Sequence, residues 1–153
     1  MIKLPLFLIL TALIYPMSFG SLPIDDPKTE GDIQWVSIED AQELVKKNPR
    51  KVFIDIYADW CGWCKVMDRK TFTNSKVANY INENYYAVRI DAESENTITF
   101  NGQELTEREL VKSFKVQGLP TIVFIDEYFK KVKPVSGYQN APQFLKSLEK
   151  FNK

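Results

Sequence analysis

Apolar positions recur along this chain in two periods, and the switches between them mark out the elements. Ile33 to Val36 is a short strand-like run. Ser37-Ile38-Glu39-Asp40 has the spacing of a capping box, with Asp where Glu is usual. Ala41, Leu44 and Val45 then share one helical face, which the spacing ends near Asn48-Pro49. Val52 to Tyr57 is an apolar strand broken only by Asp55; alternation sets Asp55 with Phe53 and Tyr57, and Val52, Ile54 and Ile56 opposite. Lys65 to Lys70 contains no Gly or Pro and reads as helix, with a break or kink predicted around Thr71 to Thr73. Asn74 or Ser75 caps a second helical piece lined by Val77, Tyr80 and Ile81. Tyr85 to Asp91 is strand-like, and Ile98 to Glu104 carries an Asn101-Gly102 turn between short alternating runs, a hairpin signal. Thr106 with Glu109 is a capping box opening a helix through Phe114. Thr121 to Asp126 is an apolar strand, and Lys131 to Ser136, with Pro134 inside it, suits an edge strand. Asn140-Ala141-Pro142-Gln143 starts a last helix that turns Phe144, Leu145, Leu148 and Phe151 inward. The order is β-α-β-α-β, a hairpin, then α-β-β-α. It predicts an α/β domain with parallel pairing in its first half, helices on both faces, and an antiparallel final pair.

The first residues follow a different rule. Lys3 precedes an apolar stretch, Leu4 to Tyr15, and Ser18-Phe19-Gly20 places small residues where a signal peptidase reads. We expect a signal peptide over residues 1–20, a flexible leader over 21–32 and one domain over 33–153. The alternative is an uncleaved membrane anchor, although the apolar stretch is shorter than the roughly 20 residues a spanning helix needs. Removal of Lys3 leaves 19 basic against 20 acidic residues, a net charge of −1. Export leads to a compartment where disulfides persist.

Composition narrows the chemistry further. The 153 residues carry 20 basic and 20 acidic side chains, so no basic excess suggests a nucleic-acid partner. There is no histidine, which removes Ser-His-Asp triads, Cys-His nucleophiles and His-ligated metals.

The only two cysteines, Cys61 and Cys64, stand two residues apart where the Val52–Tyr57 strand hands over to a helix. The first falls at the helix N-terminus and the second one turn further in. Unpaired amides and the positive helix end favour an anion there, so Cys61 is expected to have a lowered pKa and to be the exposed, attacking thiol. Cys64, shielded, can reach back and resolve a mixed disulfide. Other readings remain open: a static disulfide, or a metal site, for which two thiolates leave Zn²⁺ two ligands short. Haem attachment requires His at position 65, which is Lys.

The stretch VFIDIYADWCGWCK, Val52 to Lys65, together with Gly118-Leu119-Pro120-Thr121, resembles the thioredoxin superfamily. Phe72, the hairpin and the GLPT loop make it most similar to exported bacterial thioredoxin-like proteins, among them the C-terminal domain of the DsbD family of transmembrane reductases. The resemblance spans residues 33 to 151. It implies a thioredoxin-like fold, a central mixed β-sheet flanked by helices, with the hairpin inserted before the cis-proline strand. It also implies a thiol–disulfide oxidoreductase with Cys61 and Cys64 as a redox-active disulfide. Asp55 matches the family's buried carboxylate, which takes or relays the Cys64 proton; the alternative is a solvated strand residue or a strand-end ion pair. Pro120 matches the cis-proline, with the backbone of Leu119 or Thr121 pairing with an extended substrate; the alternative is a trans proline opening a strand. Trp60 and Trp63 flank the thiols as an apolar rim for substrate, or Trp60 packs as core.

The sequence departs from thioredoxin at Gly62-Trp63, where thioredoxin has Gly-Pro, and is longer over Ala92 to Lys112. The lysine that pairs with thioredoxin's buried carboxylate has no clear counterpart, although Ala87 or Arg89 is nearby in register. Lys65, Asp68, Arg69 and Lys70 read as a solvated helix face, and the hairpin as a surface excursion. The resemblance implies partners of two kinds: protein disulfide substrates, and a separate electron-donor thiol protein, soluble or membrane-bound. It implies no cofactor and no metal. Oxidation or isomerisation through the same site, or a non-catalytic binding module on this scaffold, are the competing functions.

Overall fold

The computed structural model describes residues 31–153, and the signal peptide and most of the leader expected from the sequence lie outside the described residues. The elements are β1 (Trp35–Val36), α1 (Ile38–Lys47), β2 (Lys51–Tyr57), α2 (Gly62–Met67), a π turn (Asp68–Phe72), α3 (Ser75–Asn84), β3 (Tyr85–Asp91), β4 (Thr97–Phe100), β5 (Gln103–Thr106), α4 (Glu107–Ser113), β6 (Thr121–Ile125), β7 (Val132–Ser136) and α5 (Ala141–Asn152). A five-stranded sheet runs β1-β3-β2-β6-β7, and β4-β5 forms a separate hairpin. β3 pairs in parallel with β1 and β2, whereas β6 runs antiparallel to both β2 and β7. This is the mixed sheet of a thioredoxin-like fold. Pro134 sits on the edge strand β7, where its missing N–H costs no ladder bond on the open side.

Local chemistry accounts for most boundaries. Asn74 accepts from the amides of Lys76 and Val77 and starts α3, while Thr106–Glu109 and Asn140–Gln143 are reciprocal capping boxes. Ser37 is a one-way cap, accepting from the Asp40 amide at 3.0 Å; Asp is one methylene shorter than the Glu that completes the box. Asn101 and Gly102 both have positive φ, 51° and 77°, the conformation of a tight hairpin turn. β1 is shorter than the sequence suggests, covering only Trp35–Val36.

The cysteine helix departs more. It is α-helical only to Met67 and then widens into the π turn rather than running to Lys70. The wider turn brings both Thr71 and Phe72 inward. There Thr71 Oγ1 donates to the Gln139 carbonyl at 2.7 Å, and Phe72 meets Phe144 and Phe53.

The central sheet separates two apolar cores. Phe53, Phe72, Ile81, Phe144 and Leu148 fill the side of α3 and α5, and Ile38, Val45, Ile54, Leu110 and Val123 fill the side of α1 and α4. The hairpin is docked rather than a free excursion. Glu39 and Gln42 of α1 accept from the Thr99 and Asn101 amides at 2.7 and 2.8 Å, and Phe100 packs edge-on to Phe114 and Phe129.

Candidate redox site

β2 carries the site. After Tyr57 the Cys61 amide donates to the Ala58 carbonyl at 3.0 Å, a turn that leads directly into α2. Cys61 is the N-cap of α2, and its sulfur accepts from the Cys64 amide at 3.1 Å. The two sulfurs are bonded to each other, with an S–S length of 2.06 Å and Cα atoms 5.3 Å apart. Neither cysteine is open to solvent: Cys61 is 3% exposed and Cys64 4%. The expectation of an exposed Cys61 is therefore not met in this closed form.

Register brings the proline loop to the same end of the sheet. Thr121 opens β6 opposite Ile56 near the end of β2. The Leu119–Pro120 bond is cis, and the Pro120 carbonyl accepts from the Gly137 amide at 2.8 Å. Thr121 is buried, with its hydroxyl donating to the Gly118 carbonyl at 2.7 Å and 2.8 Å from Ser136 Oγ. Its backbone belongs to a ladder with β2 on one side and β7 on the other. Of the two residues expected to meet a substrate strand, Leu119, just outside that ladder, is the better placed.

Both tryptophans of the cysteine segment face outward. Trp60 is 67% exposed and does not pack as core, and Trp63 is 62% exposed. Trp63 rests against Tyr138, ring centroids 5.3 Å apart. Tyr138 carries no signal in the sequence: it lies in the Gly137–Asn140 connection, outside any periodic run. Its loop is tied on both sides, through Gly137 to Pro120 and through Gln139 to Thr71.

Asp55 is 2% exposed, which removes the reading of a solvated strand residue. It lies in register with Arg89 on β3. Arg89 NH2 donates to Asp55 Oδ2 at 2.9 Å and Nε to the same oxygen at 3.2 Å. The same NH2 also bonds Asp68 Oδ1. Asp68, at the start of the π turn, thus pairs with the sheet while its side chain stays 37% exposed. The guanidinium stands 4.9 Å from the ring centres of both Trp35 and Tyr57. Burial raises the Asp55 carboxyl to about 6 against the lowering effect of Arg89, and the nearby Asp68 charge adds to the rise.

Among the described residues, no group of three or more Cys, Asp or Glu side chains is placed to hold a metal ion. No described helix is long and apolar enough to cross a membrane.

Comparison with known proteins agrees with this geometry. The model of the thioredoxin-like domain matches residues 38–152. The thiol:disulfide interchange protein DsbD of Pectobacterium atrosepticum is 36% identical over 118 residues, which cover 76% of this chain and 19% of that protein. This chain therefore spans about a fifth of the length of the curated relatives it matches. The oxidised C-terminal domain of Neisseria meningitidis DsbD superposes with a TM-score of 0.58 at 22% identity, covering 75% of this chain and 91% of that one. A structure described as DsbH oxidoreductase superposes with a TM-score of 0.64 at 21% identity, covering 82% and 88%. At these identities the two structures share the fold.

Proposed function

Because the chain belongs to the thioredoxin-like family of thiol–disulfide oxidoreductases, we propose that it works outside the cytoplasm as a reductase of protein disulfides. The observation that carries this reading is the Cys61–Cys64 disulfide at the start of α2, at the same sheet end as cis-Pro120. In the reduced protein the Cys61 thiolate attacks one sulfur of a substrate disulfide. A bond forms between Cys61 and that sulfur, and the other substrate sulfur leaves as a thiolate. Cys64 gives its proton to Asp55 and attacks Cys61 Sγ. The internal disulfide closes, and the substrate's remaining sulfur departs as a thiolate. Two electrons have passed from protein to substrate, and a donor dithiol protein returns them by the same exchange.

The substrate side is assigned to Trp60, Trp63, Leu119 and Pro120, with Tyr138 added; Thr121, buried and paired on both sides, is left out. Exposed aromatic faces beside the sulfurs suit apolar segments of incompletely folded chains. Residues 1–20 act as the export signal, followed by the leader and the domain. The relation to DsbD, a thiol:disulfide interchange protein, supports exchange chemistry at this cysteine pair.

Cys64→Ser leaves the attacking sulfur without its resolving partner. It is expected to accumulate mixed disulfides with protein partners, visible as reductant-sensitive adducts on gels, while Cys61→Ser accumulates few. Absence of adducts from Cys64→Ser overturns the mechanism. Equilibration of the pair against glutathione buffers then gives the direction: a potential well below that of the compartment supports reduction, and one above it supports oxidation.

A further inference from the structure

We propose that the end of the sheet opposite the disulfide is a docking face for an anionic phospholipid surface, formed by a lysine-lined groove between the β6–β7 turn and the last turn of α5. The proposal goes beyond the redox reading. Export supplies only its setting, a membrane facing the compartment in which the chain works.

β2 starts at this end with Lys51, and Val52 stands opposite Ile125, the last residue of β6. Ile125 in turn stands opposite Val132, the first residue of β7. The groove at this end has a volume of about 570 Å³ and is lined by Lys51, Lys130, Lys131, Lys133, Lys150 and Lys153. All but the half-buried Lys51 are exposed. Asp126 and Glu127 line it as well. Asp126 is engaged locally: it accepts from the amides of Lys130 and Lys131 at 2.7 and 3.0 Å and closes the turn that presents those lysines. Among the described residues, none of the six ammonium groups makes an ion pair. Six cations beside two carboxylates leave an uncompensated positive charge that attracts an anionic layer. Aromatic rings line the rest. Phe151 stacks on Phe124 with ring centres 4.3 Å apart, and Lys133 Nζ lies 5.2 Å from the Phe151 ring centre. Tyr128 stands in the lining 68% exposed. Lysines around exposed rings match the headgroup level of a bilayer, where ammonium groups meet phosphates and an amphipathic ring sits between water and acyl chains.

The other end of the molecule favours a membrane over a compact acidic partner. Tyr57 ends β2 on the disulfide side. Burial, and then the charges of Asp91, Glu107 and Asp59 around it, hold its hydroxyl above the usual phenol range against the opposing charge of Arg89. A chain with no net charge is thus polarised, basic at the groove and acidic beside the strand end that leads to the cysteines. An extended anionic surface attracts the first end and repels the second, so it turns the disulfide away from the bilayer and toward substrates. A small anion in the groove gains only the first of these effects. Asp32, the second described residue, is tied to the groove end. Asn82 Nδ2 donates to its carbonyl at 2.8 Å, and Arg50 Nη1, next to Lys51, donates to the Asn82 carbonyl at 2.9 Å. The residues before it, among them the apolar Leu4 to Tyr15 stretch, therefore join the domain on the lysine side.

The test is co-sedimentation of the full chain with vesicles of phosphatidylglycerol and of phosphatidylcholine, combined with acetylation of its lysines read by mass spectrometry. The neutral vesicles report any insertion of the apolar N-terminal stretch. Binding to phosphatidylglycerol is expected to be stronger by about tenfold or more, and to weaken as salt shortens the Debye length from about 10 Å to about 3 Å. Lys130→Gln, Lys131→Gln and Lys133→Gln, combined in one chain, are expected to weaken it by about fivefold for each lysine removed. The anionic vesicles are expected to slow acetylation of Lys131, Lys133 and Lys150, while Lys65 in the cysteine helix keeps its rate. Equal binding to the two vesicles, unchanged binding in the triple variant, or equal protection of Lys65 and the groove lysines overturns the proposal. Tighter binding to polyglutamate than to phosphatidylglycerol also overturns it and gives the groove to an acidic protein segment. The triple variant is expected to reduce a soluble aromatic disulfide as fast as wild type does. If wild type reduces none but still binds the anionic vesicles, it is the reductase reading alone that fails.

Discussion

Asp55 concentrates the residue-scale physics of this domain. Its carboxyl is raised from 3.8 to about 6 because burial outweighs the ion pair with Arg89. Between about pH 4 and pH 6 the folded state therefore holds a proton that the unfolded chain has released. Through this group, stability falls as pH rises across that window, by a total of about 3 kcal/mol for two pH units. Asp55→Asn should flatten that part of the curve. Urea midpoints of the two proteins at pH 4 and pH 7 check it; an undiminished wild-type slope in the variant would contradict it. Asp55 itself was legible, as the single charge in an apolar strand. Its partners were less so. Asp68 looked like any solvated helix charge, and only the strand register lays Arg89 against Asp55.

At the scale of elements, the π turn after α2 is the feature that alternation and capping rules did not supply. Its threonine was legible only as part of a break. In the structure, Thr71 ties the end of the cysteine helix to Gln139, beside Tyr138. Thr71→Val keeps the shape but leaves the Gln139 carbonyl without that donor. It is expected to lower stability by about 1–3 kcal/mol in chemical denaturation and to loosen the Trp63–Tyr138 contact, seen as a change in tryptophan fluorescence. Unchanged stability and fluorescence would show that the tie is dispensable. The hairpin turn and the Thr106–Glu109 box, by contrast, are legible in the sequence, because their signals lie within four consecutive residues.

For the whole molecule, two apolar cores on either side of one sheet support the fold, and the disulfide closes only a loop with a sequence separation of 3. Such a short loop removes little entropy from the unfolded chain. Reduction is expected to cost at most about 2 kcal/mol and to leave a cooperative unfolding transition. Loss of that transition on reduction would make the bond a structural staple. The sequence by itself determined the order of elements, the place of the cysteine pair at a strand-to-helix junction and the burial of one face of each helix, because these follow from periodicity, caps and turns along a few neighbouring residues. Only the tertiary structure decided that β6 lies antiparallel beside β2, so that Pro120 and the disulfide share one end of the sheet. It also decided that Arg89 stands between two carboxylates and that Tyr138 rests on Trp63. These arrangements join residues far apart in the chain, and their energies arise only when the sheet forms and excludes water.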